Sequence, residues 1–474
     1  VETLIPPQNS QAQELRVDTI VARATALGPG ALGVVRLSGG EAFEILQRLT
    51  PAAVKDIPSR TASLVLLQNP GNQRLLDQTL VTVYRKPNSY TGEDVIEISC
   101  HGGSLVPELV LEACLESGAR KAEPGEFTRR AVLNGKMDLI QAEAVLGLVE
   151  ATSRASHEAS LYQLERGLST LVEEIRGELV ELQASLASCI DFPEEDEGPA
   201  TMADIVENAS RVESRLTALI ANAPEGELLR EGALVVLAGP PNSGKSSLYN
   251  KLLGRERAIV SEVPGTTRDA IEASVSLDGF PFRLVDTAGI RSSLDTIERL
   301  GIEVAKEQLG RADLVIFCLE AGAPISDEVK DFLVELKATS LVFLRTKKDL
   351  RPDTSSEKLI PEGFEKTPVA TIEVSTIDNT GIPELRKLLP SLVYGGLVKS
   401  GVSVPLLLWE RQIKAVESAR VHIKKFIMET NSEVPIEFAC VQLQSAETYL
   451  EELTGAVALE EVLDRLFASF CIGK

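Results

Sequence analysis

The sequence predicts a multidomain α/β protein: an α+β segment first, then an α-helical segment into which a parallel α/β domain is inserted. Three observations carry this reading. The chain has 474 residues, too many for one hydrophobic core when domains run to roughly 100–200 residues. Short β-rich runs dominate its first quarter, and helical periodicity takes over after Pro124-Gly125. Strand-like and helix-like runs then alternate between Gly232 and Val393 before helical periodicity returns.

In chain order, the opening VETLIPPQNSQAQELRVD has no apolar signal core, so residues 1–18 read as a disordered leader. From Thr19, the runs GVVRLSG, LLDQTLVTVYRKP and DVIEISCHGG alternate with a helical stretch around Leu105 to Ser117, and residues 19–135 form the α+β N-terminal domain. Thr128 to Ile190 repeats apolar residues at three- and four-residue spacing (Leu139, Ala142, Val145, Leu146, Val149), which predicts long amphipathic helices. The acidic run Asp191-Phe-Pro-Glu-Glu-Asp-Glu interrupts them before helical pattern resumes from Met202 to Leu229, so residues 136–230 form the first helical segment. Across 231–394 the runs ALVVLAG, FRLVDTAG, DLVIFCLE, LVFLRT and TIEVST alternate with helical ones, as in a parallel α/β sheet. Helical runs from Leu406 to Phe426 and Glu447 to Phe470 place the second helical segment at 395–474. The two helical arms are expected to pack on each other.

The formal net charge of −22 argues against nonspecific duplex binding by the whole surface, because phosphate-directed affinity rests on Lys and Arg clusters. The charge is uneven: Thr19 to Ile140 holds thirteen basic and thirteen acidic residues, whereas Gln141 to Arg230 holds six against eighteen, net −12. An anionic ligand therefore suits the first stretch better. Six cysteines without a CxxC pair or a His-rich metal spacing fit a reduced, cytoplasmic protein. No segment reaches the roughly 18 continuous apolar residues of a membrane span, so no membrane partner is expected.

The strongest motif is Gly239-Pro-Pro-Asn-Ser-Gly-Lys-Ser246, a GxxxxGK[ST] P-loop between the strand ALVVLAG and the helical run SLYNKLLG. Backbone amides through Asn242, Ser243 and Gly244 wrap a polyphosphate, Lys245 reaches the terminal phosphates, and the Ser246 hydroxyl, followed by Ser247, is placed for magnesium. Downstream, Pro264-Gly265-Thr266-Thr267 offers Thr267 to the magnesium shell, and Asp286-Thr287-Ala288-Gly289 follows a strand where a metal-side carboxylate and a γ-phosphate-sensing glycine belong. Thr346-Lys347-Lys348-Asp349 also follows a strand, and Asp349 can accept the two hydrogen bonds that the guanine edge donates. GTP is thus the expected nucleotide. Thr346 stands where NKxD has Asn and lacks its amide, so either affinity is lower or another group compensates. Ser375-Thr376-Ile377 occupies the second base-contacting loop. Ile290 stands where Ras-type proteins keep a water-orienting Gln, and an isoleucine cannot hydrogen-bond a nucleophile. Arg291, Asp295 and Glu298 are the candidates to replace it; each also reads as a solvated loop charge.

Several segments together resemble one family, the tRNA-modifying GTPases MnmE, also called TrmE. They are DTIVARATALGPGALGVVRLSG, PNSYTGEDVIEISCHGG, PGEFTRRAVLNGKMDLIQAEAV, IDFPEE, the P-loop domain and the terminal FCIGK. The likeness runs from Asp18 to Lys474. It implies a folate-binding-like N-terminal domain that joins a homodimer, a helical domain, and an inserted Ras-like P-loop GTPase domain. It further implies action with the FAD protein MnmG (GidA), in a heterotetramer or larger complex, to add a carboxymethylaminomethyl-type group to carbon 5 of the wobble uridine of certain tRNAs. A 5,10-methylene- or 5-formyl-tetrahydrofolate would supply the one-carbon unit, held by Arg36, Glu97, Lys136 and Lys474. The resemblance extends to potassium-activated GTPases. Asn242 matches the potassium-ligating Asn, and the loop Ser261-Glu262-Val263-Pro264-Gly265-Thr266 would close over the ion, with oxygens from Ser261, Val263 and Thr266. Glu298 matches the water-activating residue.

In the tail, Lys474 would reach the folate, with Cys471 close by. A neighbouring lysine favours thiolate, which suggests a nucleophilic or redox role; the other reading is packing after the helix that supplies Leu466, Phe467 and Phe470. Two other functions are compatible with a P-loop domain of this kind. A ribosome-assembly GTPase that binds rRNA would carry a basic RNA module, whereas the helical arms are acidic. A nonenzymatic GTP-dependent switch or scaffold would have no use for the folate-like segments.

Overall fold

The computed structural model describes residues 18–191, 201–254, 272–286, 308–324, 329–330, 340–350, 368–432, 435–457 and 460–474. The chain divides into two compact units, residues 1–143 with 454–474 and residues 144–453. No helix among the described residues is long and apolar enough to cross a membrane.

The first unit opens with β1 (Ile20–Arg23), β2 (Leu32–Ser38), α1 (Ala42–Leu49), β3 (Ser63–Gln68), β4 (Leu75–Tyr84), β5 (Val95–His101), α2 (Leu105–Glu116), β6 (Arg120–Lys121) and α3 (Glu126–Leu133). Its sheet runs β3-β4-β5-β2-β1-β6, antiparallel except for the β1–β6 pair. Side chains alternate between sheet faces. Val35 and Leu37 on β2 and Ile96, Ile98 and Cys100 on β5 therefore turn into a core shared with Ile45 and Leu46 of α1 and Val110 and Cys114 of α2. The same alternation turns Arg36 and Glu97, directly opposite in register, to the other face.

Beside this sheet lies an ion cluster. Arg130 donates to Asp18 Oδ1 at 2.7 Å, to Glu126 Oε1 at 2.9 Å and to Glu93 Oε2 at 3.2 Å, and Arg120 donates to Asp18 Oδ2 and Glu126 Oε1, both at 2.6 Å. Burial pushes the Glu126 carboxyl up, but the bonds from Arg120, the Glu123 N–H and Arg130 outweigh it and hold it below the usual carboxylate range. At Asp18 burial is likewise outweighed by Arg120 and Arg130. A lowered folded pKa means the stabilisation is complete above the ordinary carboxylate value and is lost as pH falls through the folded value. The thermal midpoint of this unit is therefore expected to stay level down to about pH 5 and to fall below about pH 4. Glu126→Gln should flatten that acid limb; an unchanged pH profile in circular dichroism melts would remove Glu126 from the cause.

The helical part follows with α4 (Leu139–Glu150), α5 (Arg154–Leu164), α6 (Gly167–Asp191), α7 (Met202–Ala221) and α8 (Ala223–Glu231). The long helices expected from Thr128 to Ile190 are thus four segments. Ser153 and Ser156 form a capping box that starts α5 afresh, and Arg166 at φ 68° breaks the chain before α6. Pattern alone missed both because apolar spacing continues across them.

Within the second unit, the inserted sheet contains β7 (Ala233–Ala238), α9 (Lys245–Leu253), β8 (Glu272–Leu277), β9 (Phe280–Asp286), β10 (Leu314–Glu320), β11 (Leu341–Thr346), β12 (Ala370–Glu373) and α10 (Ile382–Val393). Its order is β12-β11-β10-β7-β9-β8. The five strands that the sequence runs named are parallel, and a sixth that those runs did not include, β8, joins the edge antiparallel to β9. Asp278 at φ 47° and Gly279 at φ 87° make the tight turn that an Asp-Gly pair favours. Strands β7 and β11 are buried along their whole length, as parallel strands covered on both faces must be.

The chain continues through α11 (Gly395–Ser400), α12 (Glu410–Thr430) and α13 (Ile436–Thr454). Tyr394, fully buried, ties the insertion's two ends: its hydroxyl accepts from the Ala233 N–H at 3.2 Å and lies 2.7 Å from the Pro281 carbonyl and 3.0 Å from that of Leu228. Helix α7 packs on α6 and α12, and Arg176 and Gln183 of α6 reach Glu447 of α13. The last segment, with α14 (Glu460–Ala468), belongs to the first unit, so the compact units divide residues 395–474 where the sequence grouped them together. Ile472 bridges Pro124, and Arg129 of α3 pairs with Asp464 at 2.9 Å.

Candidate functional site

Two clusters of expected site residues form, one in each unit. In the second unit the chain leaves β7 through Gly239 at φ 137°, where an added Cβ would stand 2.1 Å from the Cys318 carbonyl; only glycine fits. Gly244, left-handed at φ 87°, caps α9, and Asn242 sits at φ 61°. The loop thereby points backbone amides and a helix N-terminus at one place, an arrangement that attracts phosphate. Lys245, only 5% exposed, donates from Nζ to the Gly239 carbonyl at 2.9 Å and the Pro240 carbonyl at 2.7 Å. Ser246 Oγ donates to Asp286 Oδ2 at 2.6 Å, because register sets Asp286 at the end of β9 beside Leu237 of β7. A hydroxyl joined to a carboxylate is an oxygen-only donor set, which suits a hard cation such as magnesium. Ser243 Oγ is buried without a hydrogen-bond partner among the described residues, a polar atom available to a ligand. Ser247 is exposed on the first turn of α9.

Thr346 is buried at the end of β11, and its Oγ1 donates to the Ser243 carbonyl at 2.7 Å, so a hydroxyl ties this strand to the P-loop. Thr346→Val, similar in shape but without the donor, is expected to lose about 1 kcal/mol of GTP affinity, roughly fivefold. Thr346→Ser should retain it. Equal GTP dissociation constants for the valine and wild-type proteins would refute the tie.

Lys347, at φ 56°, pairs with Glu320 at 2.7 Å, and Lys348 pairs with Glu373 at 2.8 Å. These pairs hold the turn that presents the half-buried Asp349. Because β11 and β12 are parallel neighbours, this turn and the loop Ser375-Thr376-Ile377 leave the sheet at the same end. Ser375 Oγ accepts from the Ile377 and Asp378 amides, while Ile377 is 78% exposed. Ser261, Glu262, Val263, Pro264, Gly265, Thr266, Thr267, Thr287, Ala288, Gly289 and Glu298, with Arg291 and Asp295, lie outside the described residues.

In the first unit Arg36 donates to Glu97 Oε1 at 2.8 and 3.0 Å and to the Gly473 carbonyl at 3.2 Å. Its guanidinium lies 5.8 Å from the Tyr90 ring centre and 5.7 Å from that of Phe127, two aromatic neighbours that no sequence spacing indicated. Gly473 is required where it stands: φ is 98°, and a Cβ would meet the Arg23 carbonyl at 2.4 Å. The tail backbone therefore joins Arg36 and Glu97, with Lys474 half-buried at its end. Lys136 donates instead to the Pro87 carbonyl at 3.0 Å and makes no hydrogen bond to that group. Cys471 is exposed, whereas Phe467 and Phe470 are buried and lie against each other. Burial pushes the Cys114 and Cys318 thiols up to about 12, which disfavours the thiolate.

Comparison with known proteins extends this picture along the chain. Residues 19–136 match the family described as "GTP-binding protein TrmE N-terminus", and residues 139–471 match "MnmE helical domain". The chain is 38% identical over 461 residues to the tRNA modification GTPase MnmE of Clostridioides difficile, covering 96% of this chain and 99% of that protein. It is 40% identical over 464 residues to the protein of the same name from Moorella thermoacetica, with the same coverage.

Proposed function

The chain belongs to the MnmE/TrmE family of tRNA modification GTPases, and from that premise we propose that it binds and hydrolyses GTP in the service of tRNA modification. The observation that carries the reading is the convergence of Lys245, the Ser246–Asp286 bond and the Asp349 turn around one P-loop. Lys245 places a buried positive charge where negative charge builds on the transferred phosphoryl group. Ser246 and Asp286, with Thr267, would hold magnesium, which when bound neutralises the phosphates. Asp349 accepts the guanine N–H groups, and Ser375, Thr376 and Ile377 line the base from the neighbouring loop.

The finer reading adds potassium at Asn242, Ser261, Val263 and Thr266, and Glu298 as the group that orients water. The exposed position of Asn242 at the rim of the loop favours the first. Turnover is expected to be much faster in potassium than in sodium, since the positive charge an arginine finger gives elsewhere has to come from an ion; equal rates in the two salts would overturn it.

For folate, Arg36 offers a cation between two aromatic rings, Glu97 an acceptor, and the tail backbone a wall, with Lys136, Lys474 and Cys471 as the other groups of the site. A tetrahydrofolate, when bound, supplies the one-carbon unit. A homodimer through the first unit is supported by Leu64, Leu66 and Leu80, which stand 65%, 45% and 44% exposed on the outer face of β3 and β4, with Leu64 directly opposite Leu80. The partner would be an FAD protein of the MnmG type, and the product a carbon-5 substituted wobble uridine. Nucleoside analysis of tRNA from a deletion strain, with and without the complementing gene, tests the function: full wobble-uridine modification in the deletion strain would sink it.

A further inference from the structure

A cavity of about 610 Å³ lies within the second unit, away from the P-loop and the base-reading turns. Three elements build it: Arg154 at the start of α5, the Asp278-Gly279 turn with Ser276 of β8, and Pro383, Arg386 and Lys387 on the first turns of α10. The turn enters β9 at Phe280, whereas Asp286 ends that strand, so the two lie about 20 Å apart at a strand's rise per residue. The wall is fixed rather than incidental. The Ala155 N–H donates to the Gly279 carbonyl at 2.9 Å, the Ser153–Ser156 capping box locks the first turn of α5, and Gly279 turns the chain at φ 87°.

Its charge sets it against the rest of the molecule. Three basic side chains face one acidic one in a chain of net charge −22, next to a helical segment of net −12 between Gln141 and Arg230. Arg154, Asp278 and Lys387 are exposed, and neither Arg154 nor Lys387 forms an ion pair among the described residues. Cations left unpaired around a concavity, with a serine hydroxyl between them, suit an anion that brings its own oxygens. A guanidinium matches two phosphate oxygens at once, and the volume falls in the range that takes a ligand of nucleotide size.

We infer that this cavity is a docking site for the phosphodiester backbone of an RNA substrate, in which Arg154 and Lys387 grip phosphates at the junction of α5, the β8–β9 turn and α10. The inference rests on the tRNA reading above, which supplies a polyanion for a surface otherwise repulsive to one. RNA held here contacts both a helical element and the turn leading into β9, the strand that ends in Asp286.

The test uses the full chain carrying Arg154→Gln and Lys387→Gln, neither of which belongs to the nucleotide or folate sites. Affinity for a tRNA transcript is measured by fluorescence anisotropy across a salt series, with GTP hydrolysis in the absence of RNA as the control for folding. Each phosphate contact removed lowers the slope of log affinity against log salt by nearly one. The double variant is therefore expected to bind roughly tenfold more weakly at low salt, with a slope smaller by about two and hydrolysis unchanged. Unchanged tRNA affinity and slope would overturn the inference. So would saturable binding of inorganic phosphate lost in the variant while tRNA binding persists, which identifies a free-ion site. Loss of binding to an acidic partner protein with tRNA affinity intact would overturn it as well. These outcomes are separate from the deletion-strain analysis, since that experiment tests tRNA modification whether or not RNA docks at Arg154 and Lys387.

Discussion

Lys245→Met is expected to lower GTP turnover by roughly 10²–10³-fold while leaving the second unit folded. Methionine keeps the unbranched stem, one atom shorter, and removes the charge, so the change acts mainly on electrostatics. The wild-type ammonium is held 95% out of water by the loop it serves, 2.9 Å from the Gly239 carbonyl and 2.7 Å from that of Pro240. In such surroundings a charge acts on developing phosphoryl charge far more strongly than it would in water. The two carbonyls that lose a donor account for only about 1 kcal/mol each, too little to unfold a sheet whose strands β7 and β11 are wholly buried. Single-turnover hydrolysis at saturating GTP, beside a circular dichroism melt, checks this. Turnover within threefold of wild type in a folded variant would take Lys245 out of the chemistry.

Asp349→Asn is expected to weaken GTP binding by roughly 100-fold and to favour xanthine over guanine nucleotides. A carboxylate accepts from both guanine donors, whereas an amide has one acceptor and one donor end. The amide donor would face the guanine amino group, leaving a buried donor unpaired, and sites built to pair a substrate's polar groups lose heavily when pairing fails. Xanthine has a carbonyl at that position, which accepts from the amide. The Lys347–Glu320 and Lys348–Glu373 pairs hold the turn independently of Asp349, so the variant should keep its geometry. Competition titrations of GTP, XTP and ATP decide it; an unaltered preference for GTP would move base recognition elsewhere.

Much of the nucleotide site was legible before folding because a P-loop is built by chain neighbours. Gly239, Gly244 and Lys245 are joined through one strand, one loop and one helix, and glycine marks two of the places where the backbone turns to positive φ. The strands were legible for a similar reason, as their apolar runs reflect burial on one or both faces. The helix breaks at Ser153 and Arg166 were less so, because capping depends on two serines bonding each other while the apolar spacing runs on. The antiparallel β8 was signalled only by Asp278-Gly279, a two-residue cue within a pattern otherwise read as parallel.

Local chemistry thus settled the P-loop, the candidate guanine-reading Asp349, the uneven charge and the family segments, each a property of residues near one another in the chain. Folding alone decided which distant residues share a site. The Thr346 hydroxyl meets the Ser243 carbonyl across 103 positions, and Arg36 meets the Gly473 carbonyl across 437. Arg154 likewise reaches the same cavity as Lys387 only because α5 is bonded to the β8–β9 turn. The physical reason is that a hydrogen bond or a shared cavity between remote residues depends on strand order, register and helix packing together. Such contacts form only once the whole unit has met the entropy of closing the intervening chain.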